Sequence, residues 1–322
     1  MLRFATIGTS WITTQFADAV ARVPGVEVAA VYSRDAGRAE AFAGRLGVAA
    51  WSDDLEALLA SGDVDAVYVA SPNATHARAG LRPLCKPAAT CWWRSRPRST
   101  AAEFERLAAV ANAAGLVLLE GMRTAYDPGT ARVRDLLGEL GTLRRVSLRY
   151  AQRSSRYDQV LAGERVNIFD PAMGGGALND LGIYCVGALV DLFGEPERVL
   201  AATVPVASGA DGAGAALAVY PGLVVDVSWS KITASDVPSE VQGERGTLVI
   251  DHLPAPRHLE VRLLDGGSEL VELAVEPFDL RYEVERFAAL CAGTADASRD
   301  HRRTLAALRT MDAIRAAAVP AG

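Results

Sequence analysis

The stretch LRFATIGTSWIT, residues 2–13, decides the fold class, because an apolar run ends at Gly8 and a helical pattern follows it at once. The apolar run predicts a buried strand over Leu2–Ile7. Apolar residues at helical spacing then predict a helix over residues 10–23, with one face formed by Trp11, Phe16, Val20 and Val23. A strand that passes directly into a helix is typical of the βα units that build α/β domains.

The same alternation continues along the chain to residue 119. Further strands are predicted at 26–32, 49–51, 66–70 and 116–119, and further helices at 35–46, 53–59, 76–84 and 100–114. This order predicts a doubly wound parallel sheet whose loops meet in a crevice at the carboxyl ends of the strands. Between residues 197 and 275 strands follow one another without helices, which predicts an α+β domain with a mostly antiparallel sheet. We therefore expect two domains, 1–122 and 123–322.

Composition narrows the class of protein. A length of 322 residues suits two domains at about 150 residues each. A net charge of −6 argues against non-specific binding to nucleic acid. The absence of a run of about 18 apolar residues argues against a membrane span. The amino terminus lacks the pattern of a signal peptide, and the four cysteines have no metal-ligand spacing, so we expect a reduced, cytoplasmic protein without a metal site.

The turn after the first strand is a candidate phosphate site. A dinucleotide fingerprint would read G-x-G-x-x-G/A here, but only Gly8 is present, and Ser10 and Thr13 replace the other two small residues. The backbone N–H groups of Ser10, Trp11 and Ile12 would still face a phosphate at the start of the helix. The alternative is an ordinary strand–helix turn.

The residues after the second strand bear on the choice of cofactor. A carboxylate there would hold a ribose 2′-hydroxyl, and none is present at positions 32–34. Ser33 and Arg34 instead offer a hydroxyl and a guanidinium, which suit a 2′-phosphate and favour NADP over NAD. Asp35 leaves NAD open. A helix N-cap followed by a solvated arginine is the other interpretation.

Two further motifs complete a resemblance that spans nearly the whole chain. They are Ser71-Pro72-Asn73 with His76 after the fourth strand, and GGGALNDLGIY at 174–184. With these motifs the chain resembles the Gfo/Idh/MocA oxidoreductases. The resemblance implies a Rossmann domain, a second domain with an open, mostly antiparallel sheet, bound NADP or NAD, and hydride transfer at a carbohydrate-like or diol carbon. It also implies a homodimer or homotetramer. The implied cofactor residues are Gly8, Thr9, Ser10, Trp11, Ile12, Ser33, Arg34, Ser71, Pro72, Asn73 and His76, with a purely structural role as the alternative for His76.

The glycine-rich motif carries the candidate catalytic residues Asp180 and Tyr184. Four residues apart on a helix, they share a face. A phenol has a pKa of about 10 and needs a nearby positive charge to transfer protons near neutrality. The resemblance implies that both residues face the nicotinamide, with Tyr184 moving the proton and Asp180 assisting. The alternative is a buried tyrosine on an apolar helix, with Asp180 satisfied locally.

Four polar residues outside this motif are predicted to bind a small carbohydrate-like substrate. Arg156, Asn167 and Asp170 lie between a predicted strand and the apolar helix at 174–193, and Arg123 follows the last strand of the first domain. Each could hold a substrate hydroxyl. A solvated loop is the alternative.

The segment 84–100 departs from the family pattern. The resemblance implies Glu-Lys-Pro at the end of strand five, with a lysine that orients substrate and assists proton transfer. Arg94 stands near that position, and arginine keeps its proton at any working pH. Neither Lys86 nor Lys231, the two lysines of the chain, is at the expected place. A catalytically impaired NAD(P)-binding protein is therefore the alternative to an active enzyme.

Codon usage offers an explanation for the missing lysine. The chain is rich in alanine, glycine, valine and arginine, which indicates a GC-rich gene. One set of synonymous codons for residues 91–98, read one base earlier, encodes Val-Leu-Val-Glu-Lys-Pro-Ala-Thr. We therefore expect two compensating frameshifts, near residues 84 and 98. If the segment stands as written, Thr90–Trp93 is still β-prone and predicts strand five.

Overall fold

The chain folds into two compact units. In a computed structural model of the protein, the described residues are 1–70, 100–274, 276 and 279–321, with the main chain of 90–93. Unit 1 comprises Met1–Arg123 and Phe278–Arg302, and unit 2 comprises Thr124–Pro277 and Arg303–Gly322. The first break lies beside the predicted boundary at 122. The return of 278–302 to unit 1 has no counterpart in the predicted division.

Unit 1 is built on a six-stranded parallel sheet in the order β3-β2-β1-β4-β5-β6, which is the strand order of the Rossmann fold. Its strands are β1 (Leu2–Ile7), β2 (Val26–Tyr32), β3 (Ala50–Ser52), β4 (Ala66–Val69), β5 (Thr90–Trp93) and β6 (Leu118–Glu120). Its helices before residue 123 are α1 (Trp11–Val20), α2 (Ala36–Leu46), α3 (Leu55–Ala60) and α4 (Ala101–Ala113). The order reverses between β1 and β4, so the loop after Ile7 lies at the topological switch point, where such sheets bind ligands.

Aromatic packing explains why the chain returns to unit 1. Phe4 of β1 contacts the edge of Phe16, with ring centroids 5.2 Å apart, and Phe16 stacks on Tyr68 of β4 at 3.8 Å. Phe287, on helix α8 (Arg281–Cys291), packs against Phe4 at 5.5 Å. Phe4, Phe16, Tyr68 and Phe287 are fully buried. Each such ring pair contributes about 0.5–1.5 kcal/mol beyond its buried area, so α8 completes the core of the first unit.

Unit 2 is built on a nine-stranded sheet in the order β14-β13-β12-β11-β7-β10-β9-β8-β15. Its strands are β7 (Leu143–Ala151), β8 (Arg198–Pro205), β9 (Asp211–Tyr220), β10 (Leu223–Ser230), β11 (Ser239–Gly243), β12 (Gly246–Ile250), β13 (His258–Leu263), β14 (Ser268–Glu272) and β15 (Ala318–Pro320). Two neighbouring pairs, β7 with β10 and β8 with β15, are parallel, and the other pairs are antiparallel. The predicted mostly antiparallel sheet is therefore confirmed.

The helices of unit 2 include one that covers the centre of this sheet. They are α5 (Pro128–Leu136), α6 (Tyr157–Leu161) and α7 (Ile183–Phe193), with the chain closing on α9 (Ser298–Ala317), which begins in unit 1. A π-helical turn, Leu178–Gly182, leads directly into α7. The stretch Pro171–Phe193 has a mean hydropathy of 1.3 and the length of a membrane span, but 67% of its apolar window is buried, as expected of a core helix.

Several elements differ from the sequence-based expectations. The helix predicted from residue 174 begins after Gly176, because Gly174 and Gly176 have φ of +71° and +137°, which a right-handed helix excludes. The strands β11 and β15 were missed: β11 carries polar residues and β15 has only three residues. Trp11, predicted on the buried face of α1, is 62% exposed at the first position of the helix.

Candidate functional site

The turn after β1 has the geometry of an anion-binding helix start. Gly8 has φ of +115°, a conformation that favours glycine, and Ser10 is the N-cap of α1. The N–H groups of Thr13 and Thr14 both donate to the carbonyl of Ser10, at 3.0 and 3.4 Å, so the helix dipole begins at this turn. The backbone here suits a pyrophosphate although two fingerprint glycines are absent.

The residues after β2 divide into a structural carboxylate and an exposed cation. Asp35 caps α2, and its carboxylate accepts the N–H of Arg38 at 2.7 Å. The N–H of Asp35 in turn lies 3.4 Å from the Ser33 hydroxyl oxygen, and Arg34 is exposed. The carboxylate that left NAD open is therefore engaged in capping α2.

Several predicted residues lie outside the described part of the chain. They are Ser71, Pro72, Asn73, His76 and Arg94, together with Lys86. Strand β5 is described by its main chain, which pairs in parallel with β4 on one side and β6 on the other. The prediction of a fifth strand at Thr90–Trp93 is confirmed.

The glycine triplet in unit 2 forms a tight turn because each glycine meets a different constraint. Gly174 has positive φ. A Cβ on Gly175 would lie 2.6 Å from the backbone nitrogen of Asp170 and 2.7 Å from the carbonyl oxygen of Asn167. A Cβ on Gly176 would overlap the carboxylate of Asp211. The turn therefore packs backbone to backbone on the loop that holds the predicted Asn167 and Asp170.

Asp211 fixes the start of the helix that follows this turn. Its Oδ2 accepts the N–H of Leu178 at 2.6 Å and the indole N–H of Trp229 at 2.9 Å. Burial raises the pKa of the Asp211 carboxyl above its ordinary value, against the lowering effect of these two donors. Asp211 is the first residue of β9 and Trp229 lies in β10, so two strands hold the helix start in register.

The π-helical turn carries Asp180 and is held from two sides. The guanidinium of Arg315, on α9, donates to the side-chain amide oxygen Oδ1 of Asn179 at 2.7 Å. The ammonium of Lys231 donates to Asp180 Oδ2 and forms an ion pair with it. The side chains of Lys231 and Asp180 are 6% and 15% exposed. π-Helical turns occur frequently at functional sites, and this one places Asp180 one turn before Tyr184.

Tyr184 is half-buried and belongs to a row of three rings. Its ring meets the edge of Tyr150, on β7, with centroids 5.7 Å apart, and Tyr150 meets His252 in the same way at 5.3 Å. The Tyr150 hydroxyl lies 3.1 Å from Oε1 of Gln152, to which it donates. The structure thus adds Tyr150, Gln152, His252 and Lys231 to the two residues predicted from the motif.

The predicted substrate residues do not form one group. The two carboxylate oxygens of Asp170 accept the N–H of Ala172 at 2.9 Å and Nε of Arg165 at 2.8 Å, so this side chain caps its own loop. Asn167 is exposed beside it. Arg156 is exposed at the N-cap of α6, and Arg123 is buried at the end of the first stretch of unit 1.

A small cavity of about 300 Å³ borders the loop of Asp170. Its lining includes Arg165, Val166, Phe169, Asp170 and Ser208. Among the residues that the structure describes, no three His, Cys, Asp or Glu side chains cluster in a way that could hold a metal ion.

Comparison with known proteins decides the family. The model of an oxidoreductase family with an NAD-binding Rossmann fold, Gfo/Idh/MocA, matches residues 2–87, and the C-terminal domain model of the same family matches residues 131–249. The chain is 39% identical to scyllo-inositol 2-dehydrogenase (NADP⁺) of Bacillus subtilis over 298 residues, which cover 90% of this chain and 88% of that protein. The chain belongs to the Gfo/Idh/MocA oxidoreductase family. Its Rossmann unit and its second unit are thus those of an oxidoreductase.

A further relative and a solved structure are also similar to this chain. This oxidoreductase is 30% identical to the trans-1,2-dihydrobenzene-1,2-diol dehydrogenase of mouse, over 81% of this chain and 78% of that protein. A solved 3-ketoreductase from Actinomadura kijaniata, in complex with NADP and TDP-benzene, superposes with a TM-score of 0.87 and 25% identity, over 99% of this chain and 98% of that one. Structures of that ketoreductase include a tyrosine-to-phenylalanine variant and a lysine-to-glutamate variant.

One signal in the sequence could have found Lys231. The chain has 31 arginines and only two lysines, so a lysine outside the anomalous segment is itself unusual. Its partner Asp180 is 51 residues away, however, and no local spacing joins the two. Asp211 gave no comparable signal, since a carboxylate before a strand resembles any surface turn.

Proposed function

We propose that this oxidoreductase is an NADP-dependent dehydrogenase or reductase acting on a hydroxyl-bearing carbon of a polyol, sugar or cyclic diol, or on the matching carbonyl. The relatives are named for NADP⁺-dependent oxidation of an inositol and for oxidation of a cyclic diol. Their shared chemistry is a secondary alcohol beside further hydroxyl groups, and the substrate of this chain belongs to that class.

The residues of unit 1 fit the cofactor. Gly8 and the start of α1 would hold the pyrophosphate, and Ser33 with the exposed Arg34 would hold the 2′-phosphate. Asp35 does not compete for the ribose, because it caps α2. When bound, NADP(H) supplies hydride exchange at nicotinamide C4.

The residues of unit 2 handle the proton. The observation that carries the proposal is the half-buried Tyr184 on the helix that also holds Asp180 in a charged, buried pair. In the oxidation direction Tyr184 in its phenolate form accepts the proton of the substrate hydroxyl, and in the reduction direction the neutral phenol donates that proton to the carbonyl oxygen. Asp180 orders the substrate hydroxyl or the tyrosine by its fixed negative charge.

A substrate panel tests the proposal. Purified protein is assayed at 340 nm with NADP⁺ or NAD⁺ and scyllo-inositol, myo-inositol, D-xylose, D-glucose or a trans-dihydrodiol, and NADPH binding is followed by fluorescence. We expect turnover of at least one polyol or sugar, with NADP⁺ preferred. Tight NADPH binding without turnover of any compound would favour the binding-only alternative, and no NADPH binding would refute both.

The reading frame of residues 84–100 bears on the same proposal. We propose that the lysine of Glu-Lys-Pro is encoded in the shifted frame, which provides a second proton-handling side chain. Resequencing the gene and measuring the intact mass test this. A mass that matches Cys91-Trp92-Trp93-Arg94-Ser95 as written refutes the frameshift. In that case, changing Arg94 to lysine should raise turnover.

A further inference from the structure

Lys231 occupies a position that the sheet fixes on both sides. It follows directly after β10, the strand between β7 and β9, and is 5% exposed. Its N–H donates to the carbonyl of Gly212 at 2.8 Å, and its own carbonyl accepts the N–H of Ser154 at 2.8 Å. The backbone therefore has little freedom, and the long side chain starts from a defined point beneath the π-helical turn.

The side chain ends on the carboxylate of Asp180. With exposures of 6% and 15%, both charges are largely removed from water. Such burial costs more free energy than a surface pair does, and hydrophobic residues of similar volume often stabilise a fold as well or better. A buried pair on the helix of a proton-transferring tyrosine is therefore better explained by electrostatic control than by stability.

The choice of lysine points the same way. Other ion pairs use arginine, for example Arg257 with Asp127 in unit 2, at 3.4 Å and also largely buried. Arginine presents a planar fork, whereas lysine places a compact point charge on one carboxylate oxygen. Here the lysine amine bonds to a single oxygen, Oδ2 of Asp180.

We propose that Lys231 is a positioning residue of the proton-handling helix and acts through Asp180. Its ammonium keeps the Asp180 carboxylate ionised and in one orientation, one turn before Tyr184. The inference rests on the proposed function. It adds Lys231, which lies 51 residues after Asp180 in the sequence.

Kinetics of three variants separate positioning from mere stability. Lys231→Met removes the charge, Lys231→Arg keeps it, and Arg257→Met removes another largely buried cation elsewhere in unit 2. We expect Lys231→Met to lower kcat about tenfold or more, with KM and the Kd of NADPH within about threefold of wild type, because the lost interaction acts in the transition state. Lys231→Arg should recover most of kcat, and Arg257→Met should lower the melting temperature with kcat retained. If Lys231→Met behaves like Arg257→Met, the inference is wrong.

A measurement without substrate tests the pair itself. The Asp180 carboxyl is followed by carbon-13 NMR in labelled protein and assigned with Asp180→Asn. Loss of the adjacent ammonium should raise its titration midpoint in Lys231→Met, while Lys231→Arg and Arg257→Met leave it near the wild-type value. An unchanged midpoint in Lys231→Met overturns the inference. A raised midpoint with no turnover of any panel compound would instead refute the proposed function and leave the Lys231–Asp180 pair established.

Discussion

Two helix starts, both led by glycine, serve opposite purposes in the two units. In unit 1 the N-cap Ser10 makes no side-chain capping bond to α1. In unit 2 the carboxylate of Asp211 accepts the N–H of Leu178 at the start of the π-helical turn. The first helix start has no capping side chain and is the proposed phosphate site, whereas the second already holds a carboxylate of its own chain. We therefore expect the chemistry of unit 2 at Asp180 and Tyr184, along the helix, and not at the helix start that Asp211 caps.

The largest expected effect separates the two regions by function. Tyr184→Phe removes the proton-transferring hydroxyl, so kcat should fall about 100-fold or more, while the Kd of NADPH stays unchanged because the binding residues lie in unit 1. Steady-state rates and NADPH fluorescence measure the two quantities. Tyr220→Phe is the matched control, since the Tyr220 hydroxyl donates to the carbonyl of Gly194 instead. A Tyr184→Phe enzyme with normal kcat would rule out the proposed proton path.

The next effect tests the helix start of unit 2, which the Asp211 carboxylate caps. Gly176→Ala forces a side chain at φ +137° into the Asp211 carboxylate, and we expect a loss of about 3 kcal/mol in the free energy of unfolding. The control Gly163→Ala also has positive φ, +82°, but meets no atom within 4 Å, so it should cost about 1 kcal/mol. Urea unfolding compares them. Equal losses would mean that the contact with Asp211 is not what requires glycine.

The proposed cofactor site of unit 1 is tested by its affinity for NADPH. Arg34→Ser removes the guanidinium placed for a 2′-phosphate and should weaken NADPH binding by about 1.5 kcal/mol, or about tenfold, with NADH binding unchanged. Arg38→Ser, an exposed arginine on α2, is the control. Fluorescence titration with both cofactors measures the ratio. A parallel loss of NADH affinity would show that Arg34 acts on something other than the 2′-phosphate.

The smallest effect concerns how the contribution of Asp211 to the free energy of unfolding depends on pH. Burial raises the pKa of Asp211, so its neutral form stabilises the fold below the pKa of the unfolded chain, about 3.9, and that stability is lost as pH rises through the raised value. Asp211→Asn has no such titration. Between pH 4 and neutrality, wild type should therefore lose stability relative to Asp211→Asn, measured as the free energy of unfolding in urea. A constant difference across this range would contradict the raised pKa.

The sequence predicted those parts of the fold whose causes are local. The apolar runs of β1 and β2 end at turn residues, and their predicted bounds match the structure. The cap at Asp35 was likewise predictable, because a capping side chain acts within its own first turn. The doubly wound parallel sheet followed from the alternation of strands and helices, and the Rossmann domain was implied by the family resemblance.

What the sequence could not supply depends on contacts between distant residues. The return of α8 to unit 1 rests on Phe287 meeting Phe4, and neither residue differs from an ordinary core phenylalanine in its local pattern. The Lys231–Asp180 pair and the Asp211 cap join residues 51 and 33 positions apart. The glycine triplet was predicted as part of a helix because its close neighbours, Asp170 and Asp211, are visible only in the folded chain.

The discontinuity of unit 1 has a consequence for synthesis on the ribosome. Domains generally fold as units while the chain emerges, the amino-terminal one first. Here the core around Phe4 and Phe16 includes Phe287. The first unit therefore cannot complete its core until nearly the whole of the second has been translated. The nascent chain thus carries an unfinished apolar surface for most of its elongation, and truncation before α8 should yield a protein that depends on chaperones or aggregates.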